Sequence, residues 1–210
     1  MPELCGRRAT LRTLGMGTVG VAGAAAGFGT AGVVHAVGHH LADHEHSHVD
    51  VGFCQDMTVH HVQALAMCQR VLGRDTGDSV QAAAVEVLQT QAIEVGMMRA
   101  WLTDWGESTV AQETAMAWMG DHHGDGIPTE SMPGLATDDE MRALGLAEGF
   151  EQGRLWLELM LAHHVGGVDM ASAAVELASA DKVRRIAATQ VGVQTYEIGQ
   201  YEELLETIYA

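Results

Sequence analysis

Along residues 50–105, and again along 148–208, apolar residues recur at intervals of three and four, as in Val85, Leu88, Ile93 and Trp101, with polar residues between them. That period belongs to amphipathic helices rather than strands. The glycine-flanked break Gly73-Arg-Asp-Thr-Gly77 divides the first stretch into helices near 51–72 and 77–105, and the second stretch reads as helices near 148–179 and 181–208. The linker between them, 106–147, carries a short helix near 108–119 and a break from Gly120 to Pro128. A loop at Ser131-Met-Pro-Gly134 follows, then a further short helix opened by Thr137-Asp-Asp-Glu140. Thr137 with Glu140 three residues on is a capping box.

The two stretches are copies of one unit. Met57-Thr-Val-His60-His61-Val62 recurs as Met160-Leu-Ala-His163-His164-Val165, an offset of 103. The same offset pairs Met67 with Met170, Val80 with Val183, Gln91 with Gln194 and Glu94 with Glu197, without a gap. Two αα-hairpins with apolar stripes bury them best against one another, so the expected fold is all-α, a four-helix bundle. Repeat one spans 50–105 and repeat two 148–208.

The amino terminus has a different pattern. Residues 1–12 carry three arginines and one acid, and Leu14 to Val34 then run 21 residues without a charge. A basic stretch before a weakly apolar run reads as an export signal over residues 1–36, and Arg7-Arg8 resembles a twin-arginine signal. Val34-His35-Ala36 is a weak cleavage site, so an uncleaved membrane anchor stays open. A buried Gly/Ala-rich core helix is the plainer alternative. Residues 37–49 form a spacer with five histidines, His39, His40, His44, His46 and His48. Such a tract binds divalent metals loosely; a solvated linker explains it as well.

Composition narrows the function. Of 210 residues, 11 are Lys or Arg and 28 are Asp or Glu, a net charge of −17. Nucleic acid is a poor partner for such a chain and a metal cation a good one. Three cysteines are too few, and odd in number, for a disulfide framework. Twelve His and twelve Met are more than packing requires.

Their placement points to chemistry. With Met57 at zero on a helix of 100° per residue, His60, His61, Ala64, Met67 and Cys68 share an arc of roughly 140° facing the bundle interior. Met160, His163, His164, Gly167 and Met170 repeat it, with Gly166-Gly167 leaving space beside the histidines. Partner helices offer Gln91, Glu94 and Met98, then Gln194, Glu197 and Tyr201. Thioether with imidazole suits Cu(I) and Cu(II), not Mg2+ or Ca2+. The candidate ligands are therefore Met57, His60, His61, Met67, Met160, His163, His164 and Met170, with Glu197 orienting an imidazole. Met57 and Met67, about 15 Å apart along one helix, cannot share an ion. Cys54 and Cys68 could add thiolates to the first copy, or be small buried apolar residues. About 21 Å of helix keeps them from forming a disulfide. Met116, Met119, His122, His123 and Met132 make a third soft group in the linker.

Leu159-Met160-Leu-Ala-His163-His164-Val-Gly-Gly-Val-Asp169-Met170-Ala171, followed by Gln194-Thr-Tyr-Glu197-Ile198, resembles the ferritin-like family named domain of unknown function 305. Ser131-Met132-Pro133-Gly134 and the first copy, Met57 to Met67, carry the likeness further, over about residues 50–208. The resemblance implies a four-helix bundle, an exported or membrane-anchored protein, and copper binding through Met and His, as in the family's copper-resistance members. The chain differs from the family pattern at Cys54, Cys68, Val62-Gln63 and Val165-Gly166.

Two other classes compete. A di-iron enzyme needs Glu-x-x-His from two helices; neither repeat contains that spacing or the zinc-hydrolase spacing His-Glu-x-x-His, so no enzyme is expected. A metal-free helical interaction module, with the histidines as hydrogen-bonded core residues, is the other. A homo-oligomer stays open.

Overall fold

The structure, a computed structural model, describes residues 46–209 other than His123, with backbone alone at residues 121 and 122. The signal or anchor reading of residues 1–36 and the histidines His39, His40 and His44 lie outside the described residues. Among the described residues are five α-helices: α1 (His48–Val71), α2 (Asp78–Trp105), α3 (Asp138–Leu146), α4 (Gly149–Leu177) and α5 (Asp181–Thr207). None of these helices is long and apolar enough to cross a membrane.

Helices α1 with α2 and α4 with α5 form the two hairpins, and α1 packs antiparallel against α4 to make the centre of the bundle. Local chemistry sets these ends. Ser47 caps α1 and Asp50 closes a capping box with it. The fully buried Asp50 carboxylate also accepts from the backbone N–H groups of Ser179 (3.3 Å) and Ala180 (3.0 Å), tying the start of α1 to the α4–α5 turn. At the opposite end, Gln152 of α4 donates to the carbonyl of Arg70 in α1. Gly106, with φ of 76°, ends α2 in the left-handed conformation that glycine takes without strain.

Two expectations need correction. The stretch 108–119 is not a helix. It runs irregularly into a two-residue strand, β1 (Thr114–Ala115), paired antiparallel with β2 (Ile127–Pro128), and then into a 3-10 turn at Ala117–His122. The buried carboxylate of Asp56 takes the N–H of Met116 at 2.7 Å, and Met116 has a φ of 64°, both incompatible with a continuing helix. The second correction concerns the buried stripe of α2. Val85 and Ile93 are exposed, and the inward face is Val80, Ala84, Val87, Gln91, Val95, Met98 and Leu102. Glu94 reaches His61 of α1 and Gln91 is buried on the same side, which turns Ile93 outward. The capping box at Thr137 and Glu140 is present.

The apolar core divides in two along the bundle axis. One end gathers Phe53, Met98, Leu102 and Val183 with side chains of the linker; the other gathers Val80, Val87, Trp156 and Tyr201.

Candidate metal centre

Antiparallel packing of α1 on α4 brings both His-His pairs to one level at the middle of the bundle. All four histidines are fully buried. The rings of His60 and His163 lie 3.7 Å apart, centroid to centroid, across the local twofold. The other two face outward to their own hairpin partners: His61 Nε2 is 2.7 Å from Glu94 Oε2, and His164 Nε2 is 2.8 Å from Glu197 Oε2. Carboxylates accept, so each Nε2 donates.

The inner pair follows the same rule through backbone. His163 Nε2–H donates to the carbonyl of His60 at 2.8 Å, and His60 Nε2–H donates to the carbonyl of Pro133 at 3.2 Å. Nε2 donates in all four rings, which leaves Nδ1 as the nitrogen not used by the protein. All four Nδ1 atoms are buried and without a hydrogen-bond partner in the protein. Burial holds His60 down at about 3 and holds His163 well below the usual imidazole range. These rings are neutral at physiological pH, the form that ligates a metal. Ligating histidines characteristically give their other N–H to a carboxylate or carbonyl, as all four do here. Unpartnered acceptors on Gln91, Gln190 and Gln194 add to the buried polar character of the bundle interior.

Methionines occupy both sides of this layer. Met57 and Met170 fall at one end, with Cys54, Met98 and the linker residues Met116, Met119 and Met132. Met67 and Met160 fall at the other, with Cys68 and Met141. All eight candidate ligands are therefore buried along one axis, but not as two independent copies. Each helix gives its histidines to the shared middle and its two methionines to opposite ends. Sequence reading, which treated each copy as a site, missed this; an antiparallel pairing of equal repeats was the signal that could have revealed it. Among the described residues no three His, Cys, Asp or Glu side chains converge as a metal site.

The room expected beside His163 and His164 is taken. A Cβ on Gly166 would stand 2.0 Å from the Pro133 carbonyl, and one on Gly167 would stand 2.3 Å from Gln194 Oε1. Those glycines admit the linker and an amide, not an ion. In repeat one the position of Gly166 is Gln63, whose amide clasps Ala136 through both its oxygen and its nitrogen. Cys54 and Cys68 are buried, and burial pushes both thiols up to about 12, so neither is a thiolate in the metal-free protein. The side chains of His122 and His123 lie outside the description. Glu-x-x-His and His-Glu-x-x-His spacings, absent from both repeats, do occur in the spacer as His44-Glu45-His46-Ser47-His48, where Ser47 caps α1.

This arrangement, a duplicated helical hairpin closing over a histidine layer between methionine-rich ends, defines a class of helical bundle proteins. The Domain of unknown function (DUF305) family matches residues 50–205, and the chain belongs to that family. Among solved structures, it is similar to a DUF305 protein of Streptomyces coelicolor, named as a candidate secreted protein, at 39% identity and a TM-score of 0.68, covering 75% of this chain and 92% of that one. A DUF305 fragment from Deinococcus radiodurans is 26% identical with a TM-score of 0.65, covering 78% and 99%. CopM in its Cu(I)-bound form shares the fold at 22% identity and a TM-score of 0.60, covering 77% and 98%; it is also known in Cu(II)- and Ag-bound forms. No curated protein matches the chain.

Proposed function

We propose that this is an exported copper-binding protein that holds copper inside the bundle through thioethers and imidazoles. The observation that carries the reading is the set of four buried imidazoles, each giving Nε2–H to an acceptor and leaving Nδ1 unpartnered beside methionine-lined core. An unpartnered buried nitrogen costs stability unless something uses it. Thioethers and neutral imidazoles select a soft or borderline ion, which here means Cu(I) before Cu(II). CopM, which has the same fold and Cu(I)-, Cu(II)- and Ag-bound forms, supports the choice of metal.

Met57, Met170 and the histidines of the middle layer are the ligands we favour first, with Met67 and Met160 offering a second, thioether-poorer end. Glu94 and Glu197 orient His61 and His164. The role is binding rather than catalysis. Export rests on Arg7-Arg8 and the uncharged run 14–34, with membrane attachment if that segment is retained; the candidate secreted relative supports it.

A metal-free interaction module is favoured by one observation, that the His-Glu pairs are already complete hydrogen bonds. A Cu(I) competition titration separates the two. The protein with His39, His40, His44, His46 and His48 changed to Ala should still take Cu(I) from a chelator. Adding His163→Ala and His164→Ala should lower the stoichiometry while the helical circular dichroism signal persists. No Cu(I) uptake before those two changes leaves the interaction module.

A further inference from the structure

The proposed copper site is buried, so an ion needs a way in. At the sulfur-rich end a cleft of about 490 Å3 opens between the first turn of α1 and the linker, lined by His46, His48, Asp56, Glu107, Met116 and Trp118. A second cleft, of about 770 Å3, lies beyond Trp118 and is lined by His48, Met119, Asp169 and Glu176. His48 is thus common to both. Each cleft is lined by His48 and by a linker methionine, Met116 or Met119, that also belongs to the buried core of Met57 and Met170.

Four features show that the first cleft is built rather than incidental. His46 is fixed by stacking on Trp105, ring centroids 4.6 Å apart. Met116 is buried yet lines the cleft, and it is the one non-glycine residue with positive φ among the described residues. Backbone strain of that kind persists only where the surroundings enforce it, and it gathers at functional sites. Here the enforcing group is the buried carboxylate of Asp56, which accepts from Met116 N–H at 2.7 Å and from Trp118 Nε1–H at 2.8 Å. Trp118 in turn packs so closely on α1 that a Cβ on Gly52 would stand 2.5 Å from its ring. The carboxylates of Glu107 and Asp56 line the cleft and favour cations; the Lys182 ammonium lies 4.6 Å over the ring of Trp105, on which His46 stacks.

We propose that this cleft is the copper-loading portal: His46 and His48 capture Cu(I) at the surface, and Met116 passes it to the sulfur cluster behind. The inference rests on the copper reading above. The transfer is ligand exchange, with a copper–nitrogen bond replaced by a copper–sulfur bond. Copper stays in the +1 state throughout, and no electron or proton has to be supplied. Asp56 is a positioning residue, holding Met116 in the conformation that faces both sides.

The test is a stopped-flow measurement on the full chain, following Cu(I) leaving its bicinchoninate complex. His46→Ala with His48→Ala should slow loading about tenfold, the lower end of what loss of support at a metal site costs. Final copper stoichiometry should not change. Met116→Leu, which keeps the buried volume, and Asp56→Asn should slow it comparably. Changing His39, His40 and His44 to Ala instead should leave the rate as it was. Loading at the wild-type rate in both the His46/His48 and the Met116 variants overturns the portal, as does a slowdown confined to the His39/His40/His44 variant. Wild-type protein that takes up no Cu(I) overturns the copper reading itself, a separately visible failure.

Discussion

The two ends of the bundle are built from the same repeat and have diverged in opposite directions. The twofold that relates the repeats exchanges the ends, so Met57 at one end corresponds to Met160 at the other, and Met170 to Met67. At the remaining positions the chemistry parts. Cys54 answers to Leu157, Met98 to Tyr201 and Phe53 to Trp156. The linker then delivers Met116, Met119 and Met132 to the first end only. One end is consequently rich in sulfur, while the other is filled with Trp156 and Tyr201, whose rings meet edge to face at 5.7 Å. The middle has resisted this drift: both histidine pairs, both glutamates and both glutamines on α2 and α5 are kept. Duplication set the geometry of the imidazoles, and asymmetry in the linker decided which end offers a soft-metal environment.

The most forceful way to break this comparison is to remove sulfur from one end at a time. Met57, Met98 and Met170 changed together to Leu should keep the fold, since Leu for Met costs less than about 1.5 kcal/mol per site. Cu(I) affinity in a competition titration should fall by about a hundredfold. Met67→Leu with Met160→Leu should cost less; an equal or larger loss there would reverse the ranking of the two ends.

Next in size is the glycine that lets the linker in. Gly166→Ala puts a methyl against the Pro133 carbonyl and should destabilise the protein by about 1–3 kcal/mol in urea unfolding. Gly167→Ala meets only the movable Gln194 amide and should cost less. Equal effects would mean the linker carries no weight on the histidine layer.

Acid tests the layer itself. The folded pKa of His60 and that of His163 lie below the unfolded value near 6.5, so the unfolded chain binds more protons in the window beneath it. Stability should be whole above pH 6.5 and fall as pH drops below it. Chemical denaturation of metal-free protein at pH 7.5 and 5.5, compared with a His60→Gln, His163→Gln variant, checks the sign and the source.

The smallest effect concerns the thiols. Cys54 and Cys68 sit at opposite ends but share burial and a pKa pushed to about 12, so iodoacetamide at pH 8 should label neither until the protein is unfolded. Rapid native labelling of Cys54 alone would show the sulfur-rich end to be open.

Much of this was legible in the sequence. The repeat fixed the helices to within a few residues, and the wheel around Met57 placed His60, His61, Ala64, Met67 and Cys68 inward, as they are. The linker was not legible. Residues 108–119 have helix-compatible composition, and tertiary bonds, Met116 N–H to the Asp56 carboxylate and the pairing of β1 with β2, hold them irregular. Val85 and Ile93 looked like core by hydrophobicity, but Glu94 bonds the buried His61 and Gln91 is buried beside it, which sets the rotation of α2. The free volume beside Gly166 and Gly167 was inferred from small side chains alone, and what fills it comes from elsewhere in the chain. Periodicity describes one helix; the neighbours that compete for its face lie beyond it.

The central claim is that thioether and imidazole together hold copper in this bundle. X-ray absorption at the copper edge, on Cu(I)-loaded protein with His39, His40, His44, His46 and His48 changed to Ala, addresses it most directly. The account predicts a first shell of mixed sulfur and nitrogen, whose nitrogen contribution drops when His60 and His163 are replaced by Gln. A shell of nitrogen and oxygen without sulfur, or a protein that takes up no Cu(I), would contradict it.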